Sequence, residues 1–146
     1  MQDKHWISRT VALIGDEKLD KLINSHVLVV GLGGIGSFAA EFIARAGVGK
    51  MTIVDGDVVD PSNRNRQLPA MFSTHGVSKA DWMAERIRDI NPEIELHVVK
   101  EFLSPEKAYE IVSLYDYDYI IDAIDSITPK INLLKAAYDL KKKIVM

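Results

Sequence analysis

Short unbroken apolar runs alternate along this chain with longer stretches in which apolar side chains recur every three or four positions. Residues 26–30 (HVLVV) form one such run, closed by Gly31, and Met51-Thr52-Ile53-Val54 form a second, closing on Asp55. Tyr119-Ile120-Ile121 form another, ending at Asp122, and residues 95–99 read as a further strand. The runs at 26–30 and 119–121, short and apolar, suit buried strands of a parallel sheet. Between them lie helical patterns. Leu19, Leu22 and Ile23 share a face over residues 16–24, and Ile35, Phe38, Ala39, Phe42, Ile43 and Ala46 recur at helical spacing over 34–46, with Gly47 as a stop. Ser78 reads as an N-cap, with Asp81 in the capping-box position, for a helix whose inner face is Ala80, Met83, Ala84, Ile87 and Ile90 and which Asn91-Pro92 ends. Helices are also predicted over 105–114 and 129–140, and a polar loop over 56–77. Strands alternating with helices predict an α/β fold: a Rossmann-like, doubly wound, mainly parallel sheet with helices on both faces, whose ligands sit at the carboxyl ends of the strands.

Composition narrows this picture little. The chain has 146 residues, one domain's worth, with 47% apolar and 27% charged residues, as for a globular protein rather than a disordered one. A net charge of -3 demands no polyanionic partner, and the absence of cysteine removes disulfides, thiolate metal sites and a cysteine nucleophile from this stretch. The start (MQDKHWISRT) is too polar for a signal peptide, and no apolar run is long enough to span a membrane, so a cytoplasmic protein is the expectation. The last residues, Lys143-Ile144-Val145-Met146, read as the opening of a strand after a helix, which suggests a chain cut short.

The chemistry concentrates at strand ends. Gly31-Leu32-Gly33-Gly34-Ile35-Gly36 is G-x-G-x-x-G between a strand and a helix, where glycines let the backbone turn onto a phosphate and the helix N-terminus offers N–H groups. This motif alone does not separate NAD, FAD and ATP. Asp55, 19 residues after Gly36, is placed to accept hydrogen bonds from a ribose, which fits a dehydrogenase equally well. Asn63-Arg64-Asn65-Arg66 just beyond it suits an enzyme that must neutralise a triphosphate as it is cleaved. No G-x-x-x-x-G-K-[ST] run is present, which excludes a P-loop ATPase, and His5, His26, His75 and His97 lack metal-ligand spacing. Trp82 reads as packing and Lys141-Lys142-Lys143 as a solvated helix end.

The combination G-x-G-G-x-G-S, then D-x-D-x-V-x-x-S-N-x-N-R-Q, then a lysine resembles the ThiF/MoeB/HesA branch of the ubiquitin-activating superfamily from Arg9 to the chain end. The stretches GLGGIGSFAAEFIARAGVG, NRNRQLPA, INPEIE and IIDAIDSITPK resemble most the tRNA threonylcarbamoyladenosine dehydratase (TcdA/CsdL) group, as does Ser126 where many members have asparagine. The resemblance implies a nucleotide-binding adenylation domain over residues 1–146, a helical arm at about residues 1–25, and an absent C-terminal half. It implies ATP and Mg²⁺ as ligands, with Gly31, Gly33, Gly34 and Gly36 as the nucleotide turn and Asp55 on the ribose. Asp57 belongs to the same nucleotide set, Asn63, Arg66 and Lys79 would reach the phosphates, Asp125 would hold Mg²⁺, and Arg9 would act in trans in a homodimer. The implied reaction is adenylation of a carboxylate, on threonylcarbamoylated tRNA or at the C-terminus of a ubiquitin-like sulfur carrier. An NAD-dependent oxidoreductase and a non-catalytic dimerisation module remain as rivals.

Overall fold

The computed structural model describes residues 4–146. Two helices, α1 (Ser8–Ile14) and α2 (Asp16–Ile23), lead into β1 (His26–Val30); then come α3 (Gly36–Ala46), β2 (Lys50–Val54), α4 (Lys79–Ile90), β3 (Glu95–Val99), α5 (Pro105–Ser113), β4 (Tyr119–Asp122), α6 (Ile127–Asp139) and the short β5 (Ile144–Val145). The strands are all parallel in the order β3-β2-β1-β4-β5. This is the doubly wound sheet that the alternating pattern predicts, with its winding direction reversing between β1 and β4.

Strand β1 explains why a continuous apolar run was needed. Successive side chains point to opposite faces, so Val27 and Val29 join the core under α3 and α4, with Ala40, Ala44, Met83 and Ile87. Leu28 and Val30 join the other core, under α5 and α6, with Ile111, Val112, Leu133 and Ala136. Burying a leucine as fully as Leu28 is buried contributes about 1.5–3 kcal/mol. Glu41 of α3 is fastened to α4 by Arg86, whose guanidinium holds the Glu41 carboxyl below its ordinary pKa.

Differences from the pattern have local causes. Helix α1 was legible only as part of an arm, because it buries none of its own residues; residues 1–3 of that arm lie outside the described ones. Helix α6 begins at Ile127 rather than at Pro129, since a proline anywhere in the first turn removes an N–H that has no intrahelical acceptor. The polar loop after β2 is built of 3-10 turns at Pro61–Asn65 and Phe72–Thr74 and is tied back by Val59 N–H to Val77 O and Gly76 N–H to Val59 O. The end of the chain does pair as a strand, Ile144 and Val145 lying beside Ile120 and Ile121.

Candidate functional site

A cavity of about 690 Å³ opens at the carboxyl ends of β1, β2 and β4, over the point where the sheet reverses its winding. Its floor is the glycine turn. Gly31 has φ +95, in the left-handed region, and a Cβ there would lie 2.6 Å from Ala123 O. A Cβ on Gly36 would lie 1.6 Å from Gly31 O, so both positions exclude any larger residue. Gly31, Gly33 and Gly34 line the cavity; Gly36 serves inside the turn as the first residue of α3.

Asp55 ends the climb of β2 and does more than the sequence suggested. Its Oδ2 accepts from Leu32 N–H at 2.7 Å and its Oδ1 from Asp57 N–H at 2.7 Å, so it fastens the glycine turn to the loop after β2. Each oxygen keeps lone-pair capacity for a ribose hydroxyl. Lys79, the first residue of α4, is buried, with its ammonium 3.1 Å from Asp57 Oδ2. Its backbone N–H also donates to Asp57 O, so lysine and aspartate are doubly joined at the cavity wall.

Arg66 arrives from the 3-10 turn. The turn is capped by Asp60, which accepts from Ser62 N–H, while Asn63 Oδ1 accepts from Asp60 N–H at 3.0 Å. Asn63 thus shapes the turn that delivers Arg66, and its own side chain is buried there rather than lining the cavity. Arg66 lays its aliphatic stem over Gly34, where a Cβ would sit 3.4 Å from Arg66 Cγ, and spends Nη1 on Ser62 O and Asn65 Oδ1. Its remaining guanidinium donors are available to an anion. Arg9 stands exposed on α1 and does not line the cavity of its own chain.

Three groups that the sequence did not single out also line the cavity. Gln67 lies against Gly33, and its Oε1 is buried with no hydrogen-bond partner, an acceptor that a bound ligand could satisfy. Lys130 reaches in from α6 and is ion-paired with the buried Asp122 at 2.8 Å. Phe102, Leu103 and Ile124 add apolar side chains to the lining. Only the position of Gln67 beside Arg66 hinted at a role; Lys130 and Phe102 carry no local pattern.

The charges that line the cavity decide what it can hold. Arg66, Lys79 and Lys130 face Asp55, Asp57, Glu101, Asp122 and Asp125, so acids outnumber bases. Most of these acids are already engaged: Asp55 by backbone N–H groups, Asp57 by Lys79, Asp122 by Lys130 and Glu101 by Lys107. Asp125 is exposed and, among the described residues, has no hydrogen bond or ion pair. No cluster of metal-ligating side chains occurs among the described residues. A lone open carboxylate such as Asp125 is compatible with Mg²⁺, which takes one or two carboxylates together with substrate phosphates.

The model of the ThiF family matches residues 7–146. The chain belongs to the ThiF family. Among its relatives, this ThiF-family chain is 52% identical over 131 residues to the tRNA threonylcarbamoyladenosine dehydratase of Bacillus subtilis (strain 168), covering 90% of the chain and 51% of the relative. It is 37% identical over 125 residues to the adenylyltransferase and sulfurtransferase MOCS3 of Drosophila yakuba, covering 86% of the chain and 27% of the relative. A crystal structure of the E. coli tRNA N6-threonylcarbamoyladenosine dehydratase in complex with ATP superposes with a TM-score of 0.94 at 41% identity, covering 98% of the chain and 59% of the other. The ThiF-family chain therefore spans about half the length of the dehydratases it matches. Among its described residues no helix is long and apolar enough to cross a membrane.

Proposed function

We propose that the complete protein is a cytoplasmic, homodimeric enzyme that uses ATP to adenylate the carboxylate of the threonylcarbamoyl group on tRNA adenosine, which then cyclises with net loss of water. The observation that carries this reading is the presence of Arg66, Lys79 and Asp125 around one cavity with the glycine turn, in a chain similar to a dehydratase solved with ATP.

A carboxylate oxygen attacks the α-phosphorus, the bond from that phosphorus to the bridging oxygen breaks, and pyrophosphate leaves with the electron pair. An atom of the same carbamoyl group then attacks the carbonyl carbon of the acyl adenylate and gives up a proton. AMP, a far better leaving group than oxide, leaves with the electron pair of the broken acyl–oxygen bond as the ring closes. Lys79 and Arg66 neutralise charge that grows on the α-phosphate and the departing pyrophosphate. The glycine turn holds the phosphates with backbone N–H groups, and Asp55 orients the ribose. Asp125 would hold Mg²⁺, which supplies further charge neutralisation to the triphosphate. No nucleophilic side chain is needed for the adenylation step.

Arg9 does not line the cavity of its own chain; on this reading it would reach phosphate in the site of a partner subunit. The exposed Ile35, Phe38 and Phe42 around α3 offer apolar surface for such an interface. The similarity to MOCS3 supports a second reading, adenylation of the C-terminus of a ubiquitin-like sulfur carrier. ATP–pyrophosphate exchange by the complete protein distinguishes the two. Stimulation by tRNA bearing threonylcarbamoyladenosine supports the first; stimulation by a sulfur carrier alone replaces it with the second.

A further inference from the structure

The two acids of Asp122-Ala123-Ile124-Asp125 live in opposite environments. Asp125 is open to the cavity, whereas the Asp122 carboxylate is fully buried and both of its oxygens are used. Oδ1 accepts from Ile124 N–H at 3.1 Å, and Oδ2 accepts from Lys130 Nζ at 2.8 Å. Asp122 closes β4, and Lys130 sits in the first turn of α6. The pair therefore bridges the two ends of the loop that carries Asp125.

Lys130 is poorly placed by the ordinary rules of helices. A cation in the first turn faces the positive end of the helix dipole. The N-cap of α6, Ser126, makes no side-chain capping bond, so this helix start lacks the usual local anchor as well. A local rule broken beside a cavity points to a demand of the site. An apolar residue at 130, or a lysine pointing to solvent, would leave the buried Asp122 without its cationic partner and remove the side-chain tie from β4 to the start of α6, although Ala123 N–H would still donate to Val30 O.

We propose that Lys130 is a positioning residue: by gripping Asp122 from the first turn of α6, it fixes the loop between β4 and α6 and aims the Asp125 carboxylate at the phosphate end of the cavity. This rests on the reading above for the purpose of Asp125, but not for the tie itself. Lysine meets the requirement because it has donors to spare after binding Asp122, and its flank lines the cavity. Lys130 itself need not touch nucleotide.

The test uses the complete protein with Lys130→Met, Lys130→Arg and, because a single loss could unfold the chain, the double variant Asp122→Leu/Lys130→Met, which removes both charges and keeps apolar bulk. Hydrogen exchange without nucleotide is expected to quicken at the amides of residues 123–126 in Lys130→Met and in the double variant. It should remain unchanged in β1, and Lys130→Arg should protect the loop as lysine does. Binding of ATP is then titrated with Mn²⁺ as the metal probe. Loss of the tie should raise the half-saturating Mn²⁺ concentration about 10-fold or more, the usual effect of removing a group that orients a ligand, while ATP binding without metal is unchanged. Wild-type exchange in the loop of the double variant overturns the proposal, as does an equal loss of ATP binding with and without Mn²⁺. Asp125→Ala separates the two readings: metal-supported binding that survives it removes the role given to Asp125, while the exchange data still decide whether Lys130 holds the loop.

Discussion

At the scale of single residues, the cavity is organised by pairing. Asp57 is joined to Lys79 and Asp122 to Lys130, which leaves Arg66 as the lining cation with no carboxylate partner among the described residues and Asp125 as the unpartnered acid. Arg66 is exposed, so Arg66→Ala should leave stability within about 0.5 kcal/mol of wild type. The same variant of the complete protein should lose about 100–1,000-fold in ATP–pyrophosphate exchange, as for removal of one preorganised donor. Exchange at the wild-type rate, with an unchanged urea midpoint, would remove Arg66 from the chemistry. Much of this site was legible because its residues cluster in sequence: the glycine turn, Asp55, and the run from Asn63 to Arg66. Lys130 was not, because its only meaning is a contact across a loop with a carboxylate whose burial the sequence does not display. Asn63 shows the converse. A residue inside a recognisable motif can serve it by capping a turn, which composition cannot distinguish from touching a ligand.

At the scale of elements, helix starts do the positioning. Ser78 accepts from Asp81 N–H and so sets where α4 begins, and Lys79 is the residue that follows. Ser78→Ala should cost about 1 kcal/mol of stability, the usual worth of an N-cap, read from chemical unfolding. Because the cap also aims Lys79, affinity for ATP–Mg²⁺ should weaken in the same variant; a full loss of stability with no change in affinity would separate the cap from the site. The central strand β1 was the easiest element to read, since burial on both faces demands an unbroken apolar run; β3, only half-buried, carries Glu95 and His97. The turns within the loop after β2 were hidden, because their hydrogen bonds run between backbone and short polar side chains, as in Thr74 Oγ1 to Pro69 O. Such bonds leave no periodicity.

At the scale of the whole molecule, the sheet separates chemistry at one end from a histidine and tyrosine cluster at the other. His26, at the start of β1, is buried, with its ring against Thr52 Oγ1 at 2.9 Å and Tyr117, and with His97, Tyr115, Glu95, Lys50 and Asp118 around it. Burial, reinforced by His97, pulls the His26 pKa below its ordinary 6.5. Burial likewise pushes the Tyr117 hydroxyl up to about 12. The unfolded chain then binds a proton at His26 more readily than the folded one, so stability should hold above pH 6.5 and fall as the pH drops through it. His26→Gln should flatten that decline in urea titrations across this range; an unaltered decline would place the acid sensitivity elsewhere. The parallel, doubly wound character of the sheet followed from the alternation of elements, whereas its strand order came only with the structure, and a dimer and a trans-acting Arg9 depend on a second copy that no single chain displays.

On the proposed function, the cations and amides above the glycine turn are built for a triphosphate. Thermal unfolding of the complete protein with ATP–Mg²⁺, AMP or NAD tests it most directly. At 100 times its Kd, a ligand stabilises by about 2.7 kcal/mol. ATP–Mg²⁺ should raise the melting temperature, Arg66→Ala should blunt that rise, and NAD should have no effect. A melting temperature raised by NAD and unmoved by ATP–Mg²⁺ would contradict the account.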